Sequence, residues 1–167
     1  LALAFALFPA RSASAFCRST TRRTSVPGEC SRNGQALQWR TNCLGFSLFV
    51  DGSPTIPSDI LRAESEDAAL KWNRVGCDGN GTTQPHVLLT RIDDTSAPSG
   101  YDSRGANANS VFFNEVWRRD AMHRAGTIAI TVVTFDWGTG EILDADIEMN
   151  QVSEANPDGF AFTVGQP

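Results

Sequence analysis

Histidine, tyrosine and long apolar runs are scarce in this sequence. Its 167 residues include two histidines, His86 and His123, and one tyrosine. Neither histidine begins an H-E-x-x-H motif, which on a helix supplies two zinc ligands and a general base. The sequence also has no G-x-S-x-G elbow for a serine nucleophile and no glycine loop for phosphate. We therefore assign no catalytic residue and no metal ligand in this chain.

The first apolar run is too short to cross a bilayer. Residues 1–8 are all apolar, whereas a membrane-spanning helix needs about 20 such residues. Ala13 and Ala15 fit an A-x-A cleavage site directly before Phe16. We expect residues 1–15 to be part of a signal peptide without its basic start, and the mature protein to be secreted or periplasmic, with no membrane attachment after cleavage. A buried N-terminal helix is the alternative.

The charge balance of the chain is acidic. Fourteen lysines and arginines stand against nineteen acidic residues, a net charge of −5. Nucleic acids and anionic membranes attract basic proteins, so this balance argues against both as partners. We expect a monomer.

Four cysteines lie in the first half of the chain: Cys17, Cys30, Cys43 and Cys77. No C-x-x-C pair is present, which argues against a zinc ribbon. An even number of cysteines after a signal peptide predicts two disulfides, and three pairings are possible. We favour Cys17–Cys30, within a polar arm of residues 16–36, and Cys43–Cys77. A latency cysteine that caps a zinc ion is the alternative.

Hydrophobic periodicity predicts one helix and several strands. Strands are expected at 37–50, 86–92, 110–113, 127–135 and 141–150, the last two forming a hairpin with a turn at 136–140. Ser58 is a candidate N-cap and Gly76 a candidate end for the helix. One stripe of this helix is expected to pack in the core: Leu61, Ser65, Ala68, Trp72 and Val75. Residues 93–109 are expected to form a long loop.

Acidic and apolar residues alternate along the last predicted strand. Asp144, Asp146 and Glu148 share one face, which we expect to be solvated or to bind cations, while the apolar face packs on the core. Two such carboxylates could also serve a glycosidase, but no second signature supports that. His123 is expected to lie on the surface. The turn at 78–82 has only a weak likeness to a calcium loop.

Residues 37–150 resemble the upper subdomain of matrixin-like metzincins, a family of secreted zinc metalloproteases. The resemblance is carried by four pieces: L-Q-W at 37–39, A-L-K-W at 69–72, the strand at 110–113, and the hairpin T-V-V-T-F-D at 131–136 with T-G-E-I-L-D-A-D-I at 139–147. It implies an α+β fold with a twisted, mixed five-stranded sheet, one long backing helix and one antiparallel edge strand. Residues 37–167 would be the N-terminal portion of the catalytic domain.

The resemblance also implies a function for the complete protein. That function is zinc-dependent hydrolysis of peptide bonds, with a polypeptide substrate adding to the edge strand. The substrate-binding residues would be Ile128, Ala129, Ile130, Thr131, Val132 and Val133. The zinc ligands are expected after Pro167, so this fragment alone should be inactive; bound calcium is possible. The alternative is a secreted, disulfide-stapled, β-rich binding module without catalysis.

Overall fold

The structure is a computed structural model that describes residues 17–22, 30–31, 33–76, 87–96, 99–105, 107–117, 123–163 and 165. Five strands and one helix occur in these ranges. They are β1 (Cys43–Leu48), α1 (Ser58–Asn73), β2 (Leu88–Arg91), β3 (Ser110–Asn114), β4 (Ala129–Phe135) and β5 (Ile142–Asn150). This confirms the predicted fold class, a mixed five-stranded sheet with one backing helix.

The sheet has the strand order β2-β1-β3-β5-β4. The first four strands in that order run parallel, and β4 runs antiparallel to β5. Only β5 pairs with β4 within the described residues. The prediction of an antiparallel strand at one edge of the sheet is therefore confirmed.

Helix α1 packs against the edge of the sheet formed by β2. The Asn73 side chain exchanges two 2.8 Å hydrogen bonds with the backbone of Leu89. Asp59 in the first turn and Lys71 in the last turn suit the helix dipole. The N-cap is Pro57 and not Ser58, and Arg74 caps the other end, so both predicted boundaries were wrong by one or two residues.

The predicted core stripe of α1 is not buried. Ala68, Trp72 and Val75 are exposed, the last two by 52% and 48%. The buried residue of the helix is Ala69, which the prediction did not include. Buried apolar residues are few among the described residues, namely Leu48, Ala69 and Trp117. A substantial part of the apolar surface of this fold is therefore uncovered.

The wrong face of β5 was predicted to be buried. In the structure the acidic face is the more buried one and the apolar face is the more exposed one. Asp144 and Asp146 are each 2% exposed, whereas Leu143 and Ile147 are each 37% exposed. The alternation correctly groups the side chains into two faces. The loop before β3 covers the acidic face, since Gly100 donates its N–H to Asp146. The expectation of a wet acidic face is wrong for these two residues.

The N-terminal arm is attached to the β4–β5 hairpin. The predicted Cys17–Cys30 disulfide is present. Residues 36–38 then follow the start of β5, where the Gln38 backbone receives the N–H of Ile142 and donates to Gly140. Cys43 is a free, exposed thiol, so the predicted Cys43–Cys77 disulfide is not formed in the structure; Cys77 itself lies outside the described residues.

Beyond β5 the chain is held by an amide cluster, which we define as Asn150, Gln151 and Asn156. All three residues are buried. The Asn156 side chain donates to Asn150 Oδ1 at 2.8 Å and to the carbonyl of Gln151 at 2.7 Å. Because buried amides are costly when unpaired, this cluster fixes the path by which the chain leaves the sheet.

Candidate functional site

The outer edge of β4 is the candidate site. A run of β-branched and apolar residues favours a strand here. Asn150 donates its N–H to the carbonyl of Ile128 at 2.8 Å. Hydrogen bonding alternates along an antiparallel pair, and the β4–β5 register is regular as far as Thr134. The N–H and C=O groups of Ala129, Thr131 and Val133 therefore point towards the open edge.

The predicted binding residues form one continuous stretch in the structure. Five of the six belong to β4, and Ile128 directly precedes it and is 54% exposed. Their side chains alternate between the two faces of the sheet, so the site is a backbone edge and not a side-chain pocket. An added strand would gain main-chain hydrogen bonds from alternate residues.

The turn between β4 and β5 fixes the C-terminal end of this edge. Asp136 Oδ1 accepts hydrogen bonds from the N–H of Gly138, and from the N–H and hydroxyl of Thr139, at 2.7–2.9 Å. The Thr139 bonds lower the pKa of Asp136 below its usual value. Gly140 has a φ of 73°, and a Cβ there would collide with the carbonyl oxygen of Ala36. This turn therefore needs glycine and fixes the register of the hairpin.

A small polar cluster lies close to the N-terminal end of the edge. The Glu148 carboxylate lies 3.2 Å from His123 Nε2 and accepts a 2.9 Å hydrogen bond from Asn114. The His123 ring meets Trp117 edge-on, with 4.8 Å between centroids. His123 and Glu148 are only 17% and 14% exposed at their side chains. The prediction that His123 is a surface residue is therefore wrong.

Two buried carboxylates lie on β5, behind the edge strand. Asp146 accepts hydrogen bonds from the N–H of Gly100 and from the N–H and hydroxyl of Ser110. Burial, followed by the neighbouring charge of Asp146, raises the pKa of Asp144 to about 6. Asp146 is therefore held by three donors, and the raised pKa means that Asp144 keeps its proton to a higher pH than a solvated aspartate does.

The described residues do not form a zinc site. No three His, Cys, Asp or Glu side chains in the described ranges are placed to hold a metal ion. His123 and Glu148 provide one nitrogen and one carboxylate, whereas catalytic zinc takes three protein ligands. His86 and the turn at 78–82 lie outside the described residues. We therefore derive no chemical step through a metal from these residues.

Sequence reasoning missed the polar contacts at the N-terminal end of the edge. Asn114 and Glu148 sit on the adjacent parallel strands β3 and β5, two positions apart in the register, because Glu148 pairs with Phe112. Their partner His123 comes from a segment with no periodic pattern. Asn156 likewise follows β5 in an irregular segment. The one sequence feature that could have indicated these contacts is the asparagine at the end of each of β3 and β5.

The chain was compared with protein-family models, with curated proteins and with solved structures, and none of the three comparisons finds a match. Among the described residues, no helix combines the length and apolar character needed to cross a membrane.

Proposed function

We propose that this chain is the N-terminal part of a secreted, matrixin-like zinc metalloendopeptidase. In this proposal the open edge of β4 binds a polypeptide substrate in extended form. The complete protein hydrolyses peptide bonds, and residues 1–167 alone do not.

One observation carries the proposal: β4 is the outermost strand of the sheet and is antiparallel to its neighbour. Its outward N–H and C=O groups match the needs of an added strand. A long, apolar, uncharged edge strand promotes aggregation unless other parts of the protein cover it or a binding partner occupies it. A role in polypeptide binding accounts for such an edge.

In this proposal the backbone groups of Ala129, Thr131 and Val133 bind the substrate. The turn at Asp136 fixes the C-terminal end of the strand that carries them. Zinc would provide an activated water and a Lewis acid. The family resemblance implies that its ligands lie on chain after Pro167.

The test compares two chains. The 167-residue chain and the chain extended through the natural codons after Pro167 are each assayed on casein with zinc and with a chelator. We expect zinc-dependent hydrolysis from the extended chain alone. Hydrolysis by the 167-residue chain, or no hydrolysis by an extended chain that binds zinc, would reject the proposal.

A second candidate is a secreted binding module without catalysis. The Cys17–Cys30 disulfide and the open β4 edge favour it as much as they favour the protease. The assay separates the two, because a binding module would bind extended peptides at β4 and never hydrolyse them.

A further inference from the structure

The edge strand β4 belongs to a stretch of sequence without charge. Residues 125–135 contain no Asp, Glu, Lys or Arg. Arg124 lies directly before this stretch and Asp136 directly after it, and both residues are exposed. One end of the edge is therefore positive and the other is negative. If a second strand with the same charge order runs antiparallel to β4, unlike charges meet at both ends.

The other charged side chains described near the two ends have contacts within the chain. Glu148 contacts His123 at the N-terminal end. Glu141 forms a 3.0 Å ion pair with Arg40 at the C-terminal end. Arg124 and Asp136 are therefore the charges that an incoming strand meets first.

The outward backbone groups of β4 are symmetric about Thr131. The residues with N–H and C=O groups on the open side are Ala129, Thr131 and Val133, at equal spacing. A two-fold axis at Thr131 places Ala129 opposite Val133 of a second copy, and Thr131 opposite itself. Because each such antiparallel pair exchanges two hydrogen bonds, the three pairs form about six. An axis at any other residue leaves some of these groups without a partner.

The side chains fit the same axis. Thr131 is the exposed residue of β4, and a Thr–Thr pair across two strands is favourable. Ile147 on β5 pairs with Thr131 and is 37% exposed. In the paired arrangement this row of side chains continues into the same row of the other copy. Ile128, which is 54% exposed, would lie opposite Thr134 of the other copy.

We propose that two copies of this chain pair through their β4 edges, antiparallel and about a two-fold axis at Thr131. The pairing joins the two five-stranded sheets into one continuous sheet. Because both copies use the same surface, the assembly closes at two copies and does not grow into a fibre. The inference goes beyond the proposed function, since it requires neither zinc nor any chain after Pro167.

The dimer is expected to be weak. One strand edge and a few side chains form an interface at the low end of the size range, which is typical of transient complexes. We therefore expect a dissociation constant in the micromolar to millimolar range. At lower concentrations the chain is a monomer and its edge is open. Because the second copy and an extended peptide use the same N–H and C=O groups, each excludes the other.

Matched threonine substitutions on the two outer strands test the pairing. Thr131 on β4 and Thr90 on β2 are both exposed. Thr131→Lys, Thr131→Glu and Thr90→Lys are prepared in the 167-residue chain, and circular dichroism checks that each variant folds. Sedimentation equilibrium then measures self-association from low micromolar to millimolar concentration.

We expect the unmodified chain and Thr90→Lys to show the same equilibrium between monomer and dimer. Thr131→Lys and Thr131→Glu should each weaken the dimer about fivefold, because two like charges would face each other across the axis. An equimolar mixture of these two variants should form the dimer more tightly than either variant alone, because unlike charges then face each other. General aggregation would not give this rescue.

A second measurement requires no variant. In amide hydrogen exchange of the unmodified chain, a rise in concentration should slow exchange at Ala129, Thr131 and Val133, and leave Ile130 and Val132 unchanged. The proposal would be overturned by a chain that stays monomeric at millimolar concentration or grows beyond the dimer. Equal effects of Thr131→Lys and Thr90→Lys, no rescue in the mixture, or exchange on β4 that is independent of concentration would also overturn it.

Discussion

Asp144 and Asp146 point to the same side of β5, two residues apart, and each is only 2% exposed. Asp146 receives three hydrogen bonds from Gly100 and Ser110. Asp144 has a pKa raised to about 6, first by burial and then by the charge of Asp146. Neighbouring carboxylates with such different surroundings should contribute differently to stability.

We predict that Asp144→Asn stabilises the protein at neutral pH. A carboxyl whose pKa rises from about 4 to about 6 on folding holds its proton more tightly in the folded chain. Its contribution to stability is complete below about pH 4 and lost as the pH rises through 6. The substitution should therefore raise the free energy of unfolding at pH 7.5, by at most about 3 kcal/mol, with little change at pH 4. Urea unfolding at both values measures this.

Asp146→Asn is the matched comparison. It replaces a carboxylate that accepts three hydrogen bonds, so we expect lower stability at both pH values, by about 2 kcal/mol. The raised pKa of Asp144 would be contradicted if Asp146→Asn stabilised the protein at pH 7.5 and Asp144→Asn did not.

A second prediction concerns the direction of the backbone groups on β4. Thr131→Pro removes an N–H that points to the open edge, whereas Val132→Pro removes one that bonds to β5. We expect Thr131→Pro to fold and to lose affinity for an extended casein peptide at least tenfold. Val132→Pro should lower the melting temperature markedly. Circular dichroism and fluorescence anisotropy provide the two measurements, and a reversed pattern would mean that the register is shifted by one residue.

The third prediction is that the amide cluster stabilises the C-terminal segment. Asn156→Ala removes both donors to Asn150 and Gln151, which remain buried. We expect a loss of about 2 kcal/mol in the free energy of unfolding. Asn33→Ala, at an exposed position, should cost less than about 0.5 kcal/mol. Equal losses in the two variants would show that the cluster has no special role.

Removal of the disulfide is the fourth test. Cys17 and Cys30 close a loop of 13 residues, worth about 3 kcal/mol in the chain-entropy treatment. The double variant Cys17→Ser, Cys30→Ser should lose about this much while its sheet remains folded. Cys43→Ser, which removes the exposed free thiol, serves as the control and should change stability little. If the double variant were as stable as the control, the disulfide-closed arm would make no contribution to the stability of the sheet.

The helix and hairpin could be predicted from sequence because their signals are local. The alternation from Leu143 to Asn150 and the turn at Asp136 require no knowledge of distant residues. The choice of the buried face of β5 could not be predicted. It depends on a loop that brings Gly100 to Asp146, 46 residues away in sequence, and alternation alone does not indicate which face is covered.

The family resemblance was enough to predict that β4 lies at the edge of the sheet. The side-chain contacts near this edge could not be predicted from the sequence. Ile128 to Val133 lie at the edge because of strand order, which no local pattern encodes. His123 was predicted to lie on the surface because it is a lone histidine between Met122 and Arg124. In the structure Glu148 and Trp117 contact it from other parts of the chain.

The most direct test of the central claim is amide hydrogen exchange on β4 with and without an extended casein peptide. Binding at the edge should protect the N–H groups of Ala129, Thr131 and Val133, and leave those of Ile130 and Val132 unchanged, because β5 already protects them. Protection confined to residues outside β4, or no protection on β4 under conditions where the peptide binds, would contradict the claim.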